Sequence, residues 1–374
     1  MRRASILLVC FDLSNNSLGR AYIIAEVLGR YYDVEILGPA SRGVIWEPLA
    51  QNSSVTCTIR SPYDCFRSVL TTGAEAIYAI EPRGTSFGIS LLARCFHRRP
   101  LLLDIDDWEW GFCLDYYSRL GRLRSAARVW DPNNIAYIWT LDKLARSADR
   151  ITVSNLFLQR KFGGELIPHF RDTAQFDPAK YDQELVKSEL GLSGRKVVLF
   201  LGTPMKHKGI SLLADAVGRL NRTDVTLLVV GATKEHAGWL PRGDFVRVLG
   251  PQPFSHIPRF LAAADLVVLF QSGSPAARGQ VPAKVFDAMS MAKPIIASNV
   301  SDLPVILDGC GEIVGQGDVG SLARAMDALL DDPGRAAEMG RRARRRCIAE
   351  YSYDAVGPKL RDIVANAVQS ARRR

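Results

Sequence analysis

Short apolar runs alternating with helix-patterned stretches constrain this 374-residue chain more than any other feature. In the first half the runs are 6–10, 34–37, 76–80, 101–103 and 150–153, with helical patterns over 19–31, 85–96 and 133–148. The second half repeats the arrangement, with runs at 197–201, 225–230, 246–249, 266–270, 295–297 and 312–314. Such runs read as strands buried on both faces, and strand–helix alternation joins them into parallel α/β sheets. The chain is long for one core, so two domains of roughly 150–200 residues are expected. The polar stretch 172–195 carries no strand pattern and reads as a linker. The expected division is a first domain 1–171, the linker 172–195, a second domain 196–350 and a closing helix 351–374.

Composition narrows the class. Hydrophobic residues make up 47% and mean hydropathy is +0.01, as in ordinary globular proteins. No apolar run approaches the ~18 residues of a membrane-spanning helix. The apolar start 6–10 is soon interrupted by Asp12, Asn15 and Asn16, so it reads as a first strand and not a leader. Seven cysteines, an odd number without a Cys-x-x-Cys pair, suggest neither a disulfide framework nor a zinc site; a reducing cytoplasm is the simplest location. No two of the five histidines are spaced as a metal pair, and no nucleophile elbow is evident, which disfavours a hydrolase. The net charge of +9 is concentrated in Arg341-Arg342-Ala343-Arg344-Arg345-Arg346 and Arg372-Arg373-Arg374. These runs read as solvated helix faces or as contacts to an anionic membrane at its inner face. No nucleic-acid module is visible, so no nucleic-acid partner is expected.

Ligands of parallel α/β sheets bind beyond the carboxyl ends of the strands, so the loops there hold the candidate residues. In the second half, Arg278-Gly279-Gln280-Val281-Pro282-Ala283-Lys284-Val285-Phe286-Asp287-Ala288-Met289 reads as a loop entering a helix, with Pro282 in the first turn. Unpaired N–H groups at a helix start suit a phosphate, and Lys284 and Asp287, three apart, share one face. That set suits a nucleotide's diphosphate and ribose; an ordinary crossover with a solvated lysine and aspartate has the same spacing. Gly202-Thr203-Pro204-Met205-Lys206-His207-Lys208-Gly209 likewise joins a strand run to an amphipathic helix over 210–220 and gathers ammonium groups there. In the first half, the loop 14–20 contains Gly19, and Glu81-Pro82-Arg83-Gly84-Thr85 forms a polar cluster. Asp104-Ile105-Asp106-Asp107-Trp108-Glu109-Trp110 is an acidic knot suited to sugar hydroxyls, an acceptor amine, a metal or helix capping. Residues 108–130 interleave aromatics with Arg119, Arg122, Arg124 and Arg128. That pattern fits a membrane surface, a platform for sugars or greasy acceptors, or a helical pair packed on the first domain.

The segment 278–289 resembles the donor-sugar motif of retaining GT-B glycosyltransferases of glycosyltransferase family 4, an acidic-x7-acidic pattern with Pro and often Lys between. Asp287 takes the second acidic place, while Gly279 stands at the first, a departure. Ala292 replaces the usual glycine farther on. The stretch 202–209 resembles the family's Gly-Arg…Lys-Gly element: Lys208 matches the lysine that contacts the diphosphate, Thr203 replaces the arginine, and Lys206 is available as the missing cation. Gly19 matches the glycine of the family's first loop, and Asp106-Asp107 stands where His-Asp is common. Pro168, Asp172, Phe176 and Pro178 match the interdomain turn, and Tyr351-Ser352-Tyr353 is similar to the closing element whose helix returns to the first domain.

The resemblance implies a GT-B fold, two Rossmann-like domains facing each other across a cleft. It implies transfer of a sugar, with retention, from a nucleotide diphosphate-sugar to an acceptor that is a saccharide, lipid or small molecule, without metal or cofactor. The implied donor residues are Gly19, Thr203, Lys206, Lys208, Gly279, Gln280, Val281, Pro282, Lys284 and Asp287, and the implied catalytic residues are Asp106 and Asp107. Two alternatives are a sugar-nucleotide epimerase of the same shape and a non-catalytic sugar-nucleotide binding protein.

Overall fold

The apolar runs form two wholly parallel sheets of seven and six strands in the computed structural model, which describes residues 3–51, 54–236, 238, 240 and 242–373, apart from the side chains of Lys206 and Lys234. The first sheet contains β1 (Ser5–Cys10), β2 (Asp33–Gly38), β3 (Thr56–Ile59), β4 (Ala76–Ile80), β5 (Leu101–Ile105), β6 (Arg150–Val153) and β7 (Glu165–Leu166). Their spatial order is β3-β2-β1-β4-β5-β6-β7. The second contains β8 (Lys196–Leu201), β9 (Val225–Val230), β10 (Val246–Leu249), β11 (Leu266–Leu269), β12 (Ile295–Ser298) and β13 (Glu312–Val314), in the order β10-β9-β8-β11-β12-β13. In each sheet the order reverses beside the first strand, and that reversal opens the site of ligand binding in folds of this kind.

The packing explains why these strands read as unbroken apolar runs. On β8, Val197, Leu199 and Leu201 enter one core cluster, whereas Val198 and Phe200 enter another. The same alternation holds on β11, with Val267 and Leu269 on one face and Leu266 and Val268 on the other. Side chains alternate across a pleated strand, so a sheet covered on both faces needs apolar residues at every position.

The chain divides into two compact units, Met1–His169 with Val356–Arg374, and Phe170–Ala355. The stretch 172–195 differs from the expected linker: it lies within the second unit and carries a short helix, Gln183–Glu189, capped by Asp182 accepting from Leu185 N. Phe176, buried in that unit's core, anchors it. The final helix, Tyr353–Arg372, begins in the second unit, and its residues from Val356 onward belong to the first. Among the described residues no helix is long and apolar enough to cross a membrane.

Candidate functional site

In the second unit, the ends of β8 and β11 enclose a small recess of about 20 Å³, lined in part by Lys208, Gln271, Pro282 and Lys284. Two glycines shape it. Gly202, just after β8, has φ +97°, and a Cβ there would overlap the Lys284 ammonium. Gly209, with φ +59°, precedes helix Ile210–Arg219, and a Cβ there would strike the carbonyl oxygen of Phe270. Both positions have a left-handed backbone that favours glycine; at Gly209 the backbone contact also excludes a Cβ, whereas at Gly202 the Lys284 side chain would have to move. The approach at Gly202 lets the Lys284 side chain lie over the strand end, where its ammonium meets that of Lys208. Burial, and then the neighbouring Lys208 charge, push the Lys284 pKa well below its ordinary value, with Asp287 offsetting part of the effect. Lys208 Nζ donates to the Thr203 carbonyl at 3.1 Å. An anion bound here would offset the burial and the Lys208 charge that disfavour the protonated form of Lys284.

Gln271 adds a buried amide that the sequence did not single out. Its main-chain N–H donates to Ser298 Oγ at 2.9 Å, while its side-chain nitrogen and oxygen are buried without a hydrogen-bond partner among the described residues. Buried polar groups are seldom left unsatisfied, so this amide is available to a ligand.

The other expected donor residues are placed as follows. Gly279 ends the short helix Pro275–Arg278, which occupies what the sequence presented as open loop, with φ −89° and ψ 9°, a conformation any residue adopts. Gln280 is half-buried, Val281 belongs to the core, and Pro282 precedes helix Lys284–Ser290 instead of opening it. Thr203 is exposed, and the Lys206 side chain lies outside the described residues.

Asp287, expected to face a ribose, is instead buried and paired within the protein. It is only 4% exposed, and its Oδ1 accepts a hydrogen bond from Arg171 Nε. Arg171 also donates to the carbonyls of Phe170, at 2.7 Å, and Ala283, at 3.2 Å. The pair thus ties Arg171, which bridges to Ser352, to the start of helix Lys284–Ser290. The carboxylate is engaged by the protein itself, which removes the geometric argument for a free ribose ligand at this position.

In the first unit the acidic knot separates into distinct roles. Asp104 is fully buried and accepts two hydrogen bonds of 2.9 Å from the equally buried Arg20, plus one of 2.6 Å from Thr152 Oγ1. Arg20 in turn donates to the carbonyls of Ile167 and Pro168. This is a structural clamp. Asp106 pairs with His169 Nε2 at 2.8 Å; burial opposes its ionisation, but the charge and hydrogen bond of His169 prevail and hold its pKa below the usual value. Glu109 pairs with Arg83 at 3.5 Å, and Arg83 lies over the Phe11 ring. No aspartate caps the next helix, Glu109–Tyr116: its N-cap is Trp108, without a side-chain bond. Gly19 lies in the first turn of helix Ser17–Leu28, which begins two residues before the expected helix, with the Trp46 ring 3.4 Å from where a Cβ would be.

The residue joining Asp106 and Asp107 to the sheet is Glu81, which the sequence showed only as part of a polar cluster. Glu81 follows β4 with φ +67°, a conformation costing a non-glycine residue about 1 kcal/mol or more. Its backbone is held by Asp104 O, accepting at 2.8 Å, and by Ser86 Oγ, donating at 2.7 Å. Glu81 Oε1 accepts the main-chain N–H groups of Asp106 and Asp107, both at 3.1 Å, whereas Oε2 is buried without a partner among the described residues. Burial, then Glu109, Asp107, Asp106 and Asp104, push its pKa well above the ordinary value of 4.5. The folded chain therefore keeps a proton that the unfolded chain releases, and stability falls as pH rises above 4.5 through the folded pKa. Glu81→Gln is expected to remove this penalty, raising neutral-pH stability and flattening its pH dependence in urea unfolding. Glu81→Ala is expected to cost about 1–3 kcal/mol, by leaving buried N–H donors unpaired.

A glycosyl transferases group 1 family model matches residues 195–332. The GDP-mannose-dependent monoacylated alpha-(1-6)-phosphatidylinositol monomannoside mannosyltransferase of Corynebacterium glutamicum is 26% identical over 246 residues, covering 60% of this chain and 64% of that protein. The alpha-D-kanosaminyltransferase of Streptomyces kanamyceticus is 28% identical over 196 residues, covering 49% of this chain and 50% of that protein. The chain thus spans between half and just under two thirds of these relatives' own length. Among solved structures, sucrose-phosphate synthase of Thermosynechococcus elongatus superposes with a TM-score of 0.75 at 18% identity, over 98% of this chain and 100% of that one. The Anabaena protein HepE, solved with UDP and glucose, gives 0.76 at 17% identity, over 97% and 100%.

Proposed function

We propose that this chain, which has the GT-B fold, is a group 1, family 4-like glycosyltransferase that transfers a sugar from a nucleotide diphosphate-sugar to a hydroxyl-bearing acceptor, with retention of anomeric configuration. The observation carrying this reading is the convergence of Lys208 and Lys284 over Gly202, beside the buried Gln271 amide. Two ammonium groups at a strand end suit the diphosphate, which carries its charge both when the donor binds and when it departs. Stabilising that departing charge is the site's main electrostatic task. Relatives named as GDP-mannose-dependent and solved with UDP support the substrate class. In the first unit, the Glu81-held Asp106–Asp107 segment is the proposed acceptor face, where the His169-paired Asp106 carboxylate would polarise an acceptor hydroxyl.

Calorimetric titration with UDP, GDP and their parent nucleosides tests the donor site. Lys208→Ala is expected to weaken the better diphosphate by about 1.5–3 kcal/mol, the range for a hydrogen bond to a charged group, while leaving the nucleoside nearly unchanged. Equal losses for both would refute the phosphate role. Because protein cations fill the diphosphate's needs in this reading, transfer is expected to persist in excess chelator. Incubating a nucleotide-sugar without acceptor separates transfer from epimerisation, since an epimerase would yield an isomeric sugar-nucleotide.

A further inference from the structure

Three helices of the first unit, Glu109–Tyr116, Arg119–Ala126 and Ile135–Leu144, pack around a core of only Cys113, Ile135 and Ile138. The middle helix buries none of its residues. Between the helices lies an open groove of about 560 Å³, lined by Trp110, Leu123, Ile135 and Trp139 together with Arg119 and Arg122. Large apolar side chains are exposed on this segment: Leu123 is 69% exposed and Trp130 78% exposed, and Leu120, Val129 and Trp139 are exposed as well. Large apolar side chains exposed together along one segment and beside a groove are the mark of a binding face.

Its charge says what binds. From Tyr116 to Trp130 the chain carries four arginines and no acidic residue. Arg119, Arg122, Arg124 and Arg128 form no ion pair among the described residues. The basic helix Pro333–Glu350 contrasts with it: there Arg341 and Arg345 pair with Glu338, Arg346 with Glu350, and Arg344 with Asp177. Tryptophan and tyrosine settle at headgroup depth, where arginine binds lipid phosphate in a two-pronged fashion. A second copy of the chain is a poor occupant, because a two-fold interface would set these unpaired arginines against one another and interface cores are depleted of charge.

We propose that the helices Glu109–Tyr116, Arg119–Ala126 and Ile135–Leu144 dock on the surface of an anionic bilayer, with Trp130 and Leu123 entering the headgroup layer and the four arginines binding lipid phosphate. This docking is independent of the sugar-transfer reading and is measured without it. The full chain is sedimented with vesicles of phosphatidylcholine alone and of phosphatidylcholine mixed with phosphatidylglycerol. Binding is expected only to the mixed vesicles, falling with added salt. Arg119→Gln, Arg122→Gln, Arg124→Gln and Arg128→Gln together are expected to weaken it on the order of a hundredfold or more. Trp130→Ser is expected to weaken it severalfold and to remove the blue-shifted, lipid-quenched part of the fluorescence, with thermal unfolding unchanged. Arg342→Gln with Arg345→Gln is expected to leave it intact. The proposal is overturned if no vesicle binds, if neutral vesicles bind as well, or if only the last pair of substitutions abolishes binding. A dimer lost on Trp130→Ser, without vesicle binding, overturns it in favour of self-association.

Discussion

Arg171→Met is expected to destabilise the protein by about 3–5 kcal/mol, the cost of stranding one member of a buried ion pair. The size follows from what remains. Asp287 stays buried with its Arg171 partner gone, and the carbonyls of Phe170 and Ala283 lose a donor. Backbone hydrogen bonds from Arg171 N to Tyr351 O, at 2.8 Å, and from Tyr353 N to Arg171 O, at 3.0 Å, hold the segment in place, so the cavity has little freedom to collapse. For a unit of this size the loss corresponds to a melting point lower by roughly 6–20 °C. Two units need not unfold together, so the transition assigned to the second unit, followed in urea, is the quantity to read. Combining Arg171→Met with Asp287→Asn removes the stranded charge and is expected to restore part of the stability, giving a coupling energy that neither single variant shows. A loss below about 1 kcal/mol for Arg171→Met would place the pair among those that contribute little.

That pair also marks the limit of what the sequence reveals. All six second-unit strands were legible, because a sheet covered on both faces writes itself as unbroken apolar runs such as 225–230. The two strands missed in the first unit lie at the sheet edges: β3 is exposed or half-exposed throughout, and β7 has two residues. Edge strands need no continuous apolar run, so periodicity has little to register. Lys208 and Lys284 were legible as cations in the segments that follow β8 and β11. Asp287 was legible as an acid on a helix but not as half of an ion pair, since Arg171 lies 116 residues away along the chain. Glu81 was hidden for a similar reason. Its partners belong to the loop after the neighbouring strand, and its left-handed backbone leaves no mark in a residue type that rarely adopts it.

Lys284→Met is expected to weaken the better-bound of UDP and GDP by roughly tenfold to a hundredfold while making the unliganded protein more stable. The opposed signs distinguish a ligand-holding charge from a structural one, whose loss would reduce both. They arise from one cause. In the free protein, burial and then Lys208 hold the Lys284 pKa well below 10.5, so the folded chain carries its proton less readily than the unfolded chain does. Stability of the wild type therefore rises with pH between that lowered pKa and 10.5, because the unfolded state binds more protons there. A diphosphate reverses the balance. Its negative charge favours protonated Lys284, so binding takes up a proton wherever the pH lies above the free-state pKa and below the bound-state one. Affinity for the diphosphate then falls as pH rises through that window, with a limiting slope of about tenfold per pH unit for one proton. Working above about pH 7.5 keeps the terminal phosphate's own ionisation, near pH 6 for phosphate monoesters, out of the slope. Titration calorimetry in two buffers of different ionisation heat measures the uptake directly. At a pH inside that window, wild type is expected to take up a proton with the diphosphate and none with the nucleoside, and Lys284→Met is expected to take up none with either. Uptake that persists in Lys284→Met would move the linked proton to another group. Pairing that result with an unchanged affinity would place Lys284 outside the diphosphate site.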